Sequence, residues 1–283
     1  MSLQLGPELA KAFDGAVTET MPVLISGMRD GQQIDIPREL MPIDYLYDQR
    51  VNGLEPFRTR MRENYFSTAA AVVIDKEGNQ KFDLRSPLLR DHEIINQNNL
   101  SQGAARISDE RYEAVCGDGV KELTKTQIAA LNGNGYVRKK GSDLFVPVND
   151  DVEEFHEFLN QGIINLQEYA GTVAEETSSK CKKTDRVMNL YFNKKNHGSA
   201  VVGSLAVSST DYNSSIDGDS DLGSNYARLG GVVPEVLYAF DNRGRKSPTS
   251  RELAQLVWNH MESVDIRTGF TIKDLEEALR FRC

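Results

Sequence analysis

Cysteine is scarce in this sequence, and the few cysteines present follow no regular spacing. Cys116, Cys181 and Cys283 are an odd number in a chain of 283 residues, so they do not describe a disulfide framework. We therefore expect a protein of a reducing compartment. The first residues lack a basic stretch followed by an apolar run, so we expect no classical secretion signal. The expected location is the cytoplasm or an assembled particle.

Excess positive charge and long hydrophobic runs are also missing. The sequence has 33 Lys and Arg against 42 Asp and Glu, a formal net charge of −9. This balance argues against a nucleic-acid partner, which needs a broad basic face. No run of about 18 apolar residues occurs, so no membrane span is predicted. No P-loop, HExxH or paired CxxC motif is present, and no cofactor is predicted.

The strongest helical pattern in the chain covers residues 147–179. Asp150 and Glu153 form a capping-box signature at its start. Apolar residues then recur every three or four positions, at Val152, Phe155, Leu159, Ile163, Leu166, Ala170 and Val173. This spacing places them on one face of a helix. We predict one long amphipathic helix around which the rest of the chain packs.

Two segment pairs have the pattern of β-hairpins. The first joins 69–75 to 80–85, and the second joins 136–138 to 144–146. Two further helices are predicted near the C-terminus, beginning at Thr249 and Thr271. Hairpins interspersed with helices, without strict βαβ alternation, favour the α+β class.

We expect residues 1–283 to form a single compact α+β unit. A polar, lysine-rich stretch near 178–186 is the one place where a soft boundary is expected.

A thiol nucleophile is the most specific catalytic hypothesis. Cys116, His197 and Asp211 follow the chain order used by papain-like hydrolases and deamidases, in which a histidine activates a cysteine and an acid orients the histidine. The local sequence argues against it, because Cys116 follows a predicted helix. The helix dipole at that end raises the pKa of a thiol.

An acidic segment suggests a metal site. Asp217, Asp219 and Asp221 alternate along the chain, as the first ligands of many calcium loops do. The sixth position of such a loop is Leu222 instead of glycine, and the twelfth is Arg228 instead of glutamate. Local turn capping by the acidic side chains is the alternative interpretation.

A cluster of cations precedes the predicted helix at Thr249. Arg243, Arg245, Lys246 and Arg251 are suited to bind an acidic partner or a phosphate group. A solvated turn explains the same residues.

None of these sites is decisive, so the favoured hypothesis is a non-enzymatic structural or interaction protein. We expect a subunit of a larger assembly, for example a virus or phage particle, that binds protein partners or copies of itself. The alternatives are a thiol hydrolase or deamidase using Cys116 and a metal-dependent enzyme using the acidic segment.

Overall fold

Short strands and helices succeed one another without strict alternation, and the predicted α+β class is confirmed. The computed structural model describes residues 10–237, except for residues 34, 36, 54, 56, 181–183, 194–196, 219–220, 226 and 235–236. No helix in this described part of the chain is long and apolar enough to cross a bilayer. The two predicted C-terminal helices lie outside it.

The helices of the described chain are α1 Val17–Ser26, α2 Ile43–Asn52, α3 Phe57–Glu63, α4 Asp109–Ala114, α5 Lys125–Leu131, α6 Asp150–Asn160 and α7 Leu166–Lys180. Short 3₁₀ turns cover Pro87–Arg90, Gln97–Asn99 and Thr210–Tyr212. The strands are β1 Ala10–Phe13, β2 Met28–Arg29, β3 Gln32–Gln33, β4 Glu39–Leu40, β5 Phe66–Ile74, β6 Gln80–Asp83, β7 Leu100–Ser101, β8 Ala104–Arg106, β9 Val120–Leu123, β10 Tyr136–Arg138, β11 Phe145–Pro147, β12 Arg186–Val187, β13 Leu190–Tyr191, β14 Val201–Val207, β15 Ile216–Asp217 and β16 Arg228–Val232.

The chain divides into two compact units. Among the described residues, the larger contains those of 14–20 and 42–229, and the smaller contains those of 10–13, 21–41 and 230–237. The stretch 178–186, where a soft boundary is predicted, belongs to the larger unit. The single-unit organisation stays a prediction.

The core of the larger unit is the strand pair β5 and β14, which run antiparallel and are buried along their whole length. β6 pairs with the other edge of β5, and β9 follows β6. The first predicted hairpin is thereby confirmed. Continuous burial explains why β5 and β14 are apolar on both faces, since such strands are covered on each side.

The smaller unit is described over fewer residues. β2 and β3 form a hairpin, and the end of β16 pairs antiparallel with β4 through Gly231 and Leu40. Asp35 forms ion pairs with Lys11 and with Arg38, the latter at 2.6 Å.

The single helix predicted over 147–179 is wrong, because the chain leaves the helical conformation after Asn160. Gln161 adopts a left-handed backbone conformation with φ 52° and ψ 30°. Gly162 follows with φ 70°, a region that favours glycine. The predicted rod is therefore two helices, α6 and α7.

Side-chain amides stabilise this break. The Asn160 amide donates to the carbonyl of Ile164 at 2.9 Å and accepts from the N–H of Ile164 at 3.1 Å. Asn165 Oδ1 accepts from the backbone N–H groups of Gln167 and Glu168. These contacts satisfy backbone groups that the end of one helix and the start of the next leave free.

The second predicted hairpin is also confirmed, and β12 extends it to a three-stranded antiparallel sheet in the order β11-β10-β12. Helix α6 packs against this sheet and against β6. Its residue Phe155 meets Phe82 at 4.9 Å and Phe192 at 5.2 Å between ring centroids, both edge to face.

Candidate functional site

Cys116 lies two residues beyond the end of α4. Its thiol is exposed, and it has no hydrogen bond within the described residues. Its position agrees with the expectation that Cys116 follows a helix.

His197, the predicted base, has both ring nitrogens engaged elsewhere. Nδ1 lies 3.2 Å from the carbonyl oxygen of Ser101, and Nε2 lies 3.1 Å from the side-chain nitrogen of Asn193. A proton on Nδ1 satisfies both contacts, because Nδ1 then donates to Ser101 and Nε2 accepts from Asn193. The structure does not bring Cys116 and His197 into hydrogen-bonding contact.

Asp211, the predicted orienting acid, lies in the 3₁₀ turn Thr210–Tyr212. This turn packs on α7, where Thr177 donates to the carbonyl of Thr210 at 2.8 Å. The side chain of Thr210 donates to the carbonyl of Arg62 at 3.2 Å. The proposed triad of Cys116, His197 and Asp211 stays a prediction from chain order.

Two carboxylates of the acidic segment accept hydrogen bonds, one from a distant side chain and one from a nearby backbone N–H. Asp217 accepts from the hydroxyl of Tyr65 at 2.6 Å, and Asp221 accepts from the backbone N–H of Gly223 at 2.8 Å. Asp219 lies outside the described residues. Within the described ranges, no group of three acidic, histidine or cysteine side chains is placed to hold a metal ion.

The predicted cation cluster also lies outside the described residues. It consists of Arg243, Arg245, Lys246 and Arg251.

An apolar surface that the sequence analysis did not single out lies on the sheet of β10, β11 and β12. Val137 is opposite Val146 on one side and opposite Arg186 on the other. Backbone hydrogen bonds from the N–H of Lys139 to the carbonyl of Leu144 and from the N–H of Val148 to the carbonyl of Gly135 continue this pairing past both ends of β11. Side chains alternate along a strand, so Leu144 and Val148 share the face of Val146. Leu144 is 58% exposed and Val148 is 41% exposed. We call Val137, Leu144, Val146 and Val148 the outer face.

The opposite side of the same sheet faces α6. We call Tyr136, Phe145 and Val187 the inner face; all three are buried. His156 of α6 lies beneath them, with its ring 5.3 Å from the ring of Tyr136 in an edge-to-face arrangement. Its Nε2 donates to the carbonyl of Met188 at 2.9 Å. The outer face therefore stands on a rigid support.

His156 is neutral in this environment. Burial lowers its pKa to about 4, and the hydrogen bond to Met188 opposes that shift only in part. Its Nδ1 is buried and has no hydrogen-bond partner within the described chain. A proton added at Nδ1 would have no acceptor, which is the physical reason that the charged form is disfavoured.

Opposite charges stand at the two ends of the outer face. Lys139 and Lys140 lie in the hairpin turn beside Leu144, while Asp150 and Asp151 begin α6 just after Val148. All four are exposed, and within the described residues none of the four is in an ion pair. The strand between the two ends spans about 13 Å at ~3.3 Å per residue.

A sequence signal for this surface does exist. Residues 144–148 are apolar at every position, so both faces of the strand are apolar. Such a strand is either covered on both sides or presents one apolar face. The pattern alone does not decide between these arrangements.

Comparison with known proteins identifies the fold. No family model matches the chain, and no curated protein matches it. One solved structure from Nanoarchaeota, described as "Accommodation of massive sequence variation in Nanoarchaeota by the C-type lectin fold", aligns with a TM-score of 0.53 and 13% identity. The alignment covers 81% of this chain and all of the other. This similarity shows a C-type lectin fold, and at this identity it shows the fold alone.

Proposed function

We propose that this chain is a non-enzymatic interaction protein that binds through its outer face. We further propose that it is a subunit of a larger assembly, such as a virus or phage particle. The observation that carries the proposal is the outer face itself, where the exposed side chains of Leu144 and Val148 stand beside the half-buried side chains of Val137 and Val146. An apolar surface on a packed sheet is suited to contact with a partner.

The packing below the outer face supports a binding role. Tyr136, Phe145 and Val187 hold the sheet to α6 from the inner side. A surface carried by a packed sheet loses little conformational freedom when a partner covers it, so less of the gained contact energy is offset by ordering.

The fold supports the same role. The matched Nanoarchaeota structure is described as accommodating massive sequence variation. A fold that is kept while its surface residues vary is suited to a protein in which the exposed residues determine which partner is bound. Function on such a scaffold belongs to the surface placed on it, not to the fold.

Site-specific photo-cross-linking tests this proposal. A benzophenone amino acid replaces Val146 on the outer face, and in a matched variant it replaces Val120 of β9, which is also a half-buried valine on a strand. In cells that produce the protein, we expect covalent adducts from position 146 in clear excess over position 120. Changing the flanking Leu144 and Val148 to serine should remove them, because the apolar contact is lost.

Equal labelling at positions 146 and 120 would contradict the proposal. Absence of adducts at position 146, with both variants folded as judged by circular dichroism, would contradict it as well.

A further inference from the structure

Resting on this proposed function, we infer that the partner of the outer face is a second copy of this chain. The two copies meet face to face about a two-fold axis, with their β11 strands antiparallel. Val137, Leu144, Val146 and Val148 of each copy form the centre of the contact. The contact is isologous, since the same patch serves both copies.

The charges at the two ends of the outer face identify the partner. One end carries Lys139 and Lys140, and the other carries Asp150 and Asp151. An antiparallel two-fold arrangement places the lysines of each copy beside the aspartates of the other. The surface is therefore complementary to itself, and each contact of this type occurs twice.

Two further charged residues lie near these ends and at the edge of the face. Asp143 lies in the same turn as the lysines, but it is held by Arg138 at 2.9 Å. Arg186 lies at the β12 edge, opposite Val137. Its aliphatic stem extends the apolar centre sideways while its guanidinium stays at the rim.

The size of the face sets the strength of the contact. Three strands about 4.8 Å apart and ~13 Å long offer on the order of 200 Å². Stable interfaces use about 800 Å² per partner. We therefore expect weak, reversible association of isolated copies. In an assembly, many such contacts add up because linked copies have a high effective concentration.

Charge exchange tests the inference by sedimentation velocity over a series of concentrations. The first variant carries Lys139→Glu and Lys140→Glu, and the second carries Asp150→Lys and Asp151→Lys. Each alone places like charges together, so we expect its dissociation constant to rise about tenfold or more. An equimolar mixture of the two variants places opposite charges together again, so association should return close to that of the unaltered chain.

Recovery of association in the mixture would show that each variant had lost a contact and not its fold, because mixing does not repair a damaged fold. The lysines at 150 and 151 oppose the dipole of α6. If that variant unfolds, Asp150→Asn with Asp151→Asn takes its place and is measured alone, without the mixing step, with a several-fold weakening expected.

Two results would overturn the inference: a mixture that stays monomeric, or an unaltered chain that stays monomeric at the highest concentration reached. The mass of the photo-adduct at position 146 separates this failure from failure of the proposed function. An adduct twice the mass of the chain supports self-association. An adduct to a different protein would support the proposed function, but it would contradict the inference that the partner is a second copy of this chain.

Discussion

The two faces of the three-stranded sheet have similar composition and opposite surroundings. Phe145 and Val146 are neighbours in the sequence, yet Phe145 is 2% exposed above α6 while Val146 is half-buried. The inner face is covered by His156 and its neighbours. Across the described residues, nothing similar covers Leu144 or Val148, which are 58% and 41% exposed.

This difference separates apolar residues that stabilise the fold from apolar residues that are available to a partner. Burial removes apolar surface from water and contributes about 25 cal/mol per Å². The inner face gains this contribution when the chain folds. The exposed part of the outer face gains it only when something covers that part, so Leu144 and Val148 should matter more for association than for folding.

The largest effect is expected from Phe145→Ala on the inner face. Removing a buried aromatic ring loses its transfer free energy and leaves a cavity, so the free energy of unfolding should fall by about 3–5 kcal/mol. Val146→Ala on the outer face should lower it by less than about 1 kcal/mol. Urea unfolding measures both losses, provided that the dependence of the free energy of unfolding on urea concentration is the same in all variants.

The two substitutions lie on adjacent residues of one strand, so each is the control of the other. Equal losses at both positions would mean that the outer face is covered in the folded chain. That result would also remove the basis of the proposed contact.

Much of the burial in this region could be predicted from the sequence. Of the seven residues on the predicted helical stripe, six are buried and Ile163 is half-buried. Periodicity reports which residues face the core. It does not report whether the backbone is continuous between them, because two consecutive helices can each bury part of the same pattern.

The sequence does contain signals for the break between the two helices, but the continuous apolar periodicity masks them. Gly162 supplies a positive φ, and Asn165 with Glu168 is a cap followed by an acid three residues later. The left-handed conformation of Gln161 is harder to foresee, because it depends on the hydrogen bonds that Asn160 makes with Ile164.

The candidate sites could be predicted less well than the fold. Chain order suggests that Cys116 and His197 meet, but order does not fix which groups a histidine contacts. In the structure, Ser101 and Asn193 take both ring nitrogens of His197. To predict the outer face, one must know the register of three strands, and β12 is distant in sequence from β10 and β11.

An intermediate effect is expected from pH, through His156 beneath the inner face. Its pKa is lowered to about 4 in the folded chain, against about 6.5 in an unfolded one. Between these values the unfolded chain binds a proton that the folded chain excludes. Stability is therefore complete above pH 6.5 and falls as the pH is lowered, by about 2 kcal/mol at pH 5 relative to pH 7.5.

Urea unfolding at pH 7.5 and pH 5 measures this loss. In a His156→Leu variant, which keeps an apolar side chain of similar size beneath Tyr136, the difference between the two pH values should shrink by about 2 kcal/mol. Carboxylates with lowered pKa, such as Asp91 beside Arg111, act below about pH 4.5 and stay outside the measured window. An unchanged difference in the variant would show that His156 is not the titrating group.

The smallest effect is expected from Val137→Thr on the outer face. Threonine has nearly the shape and the strand propensity of valine, so only the polarity of the side chain changes. In contact with water the hydroxyl is solvated, and the free energy of unfolding should change by about 0.5 kcal/mol or less. Val187→Thr, on the inner face of the neighbouring strand, puts the same hydroxyl where the side chain is fully buried, at a cost of about 1–3 kcal/mol. Thermal unfolding of the two variants at one pH measures the contrast. If Val137→Thr costs as much as Val187→Thr, both sides of the sheet are dry, and the face assigned to a partner is part of the core.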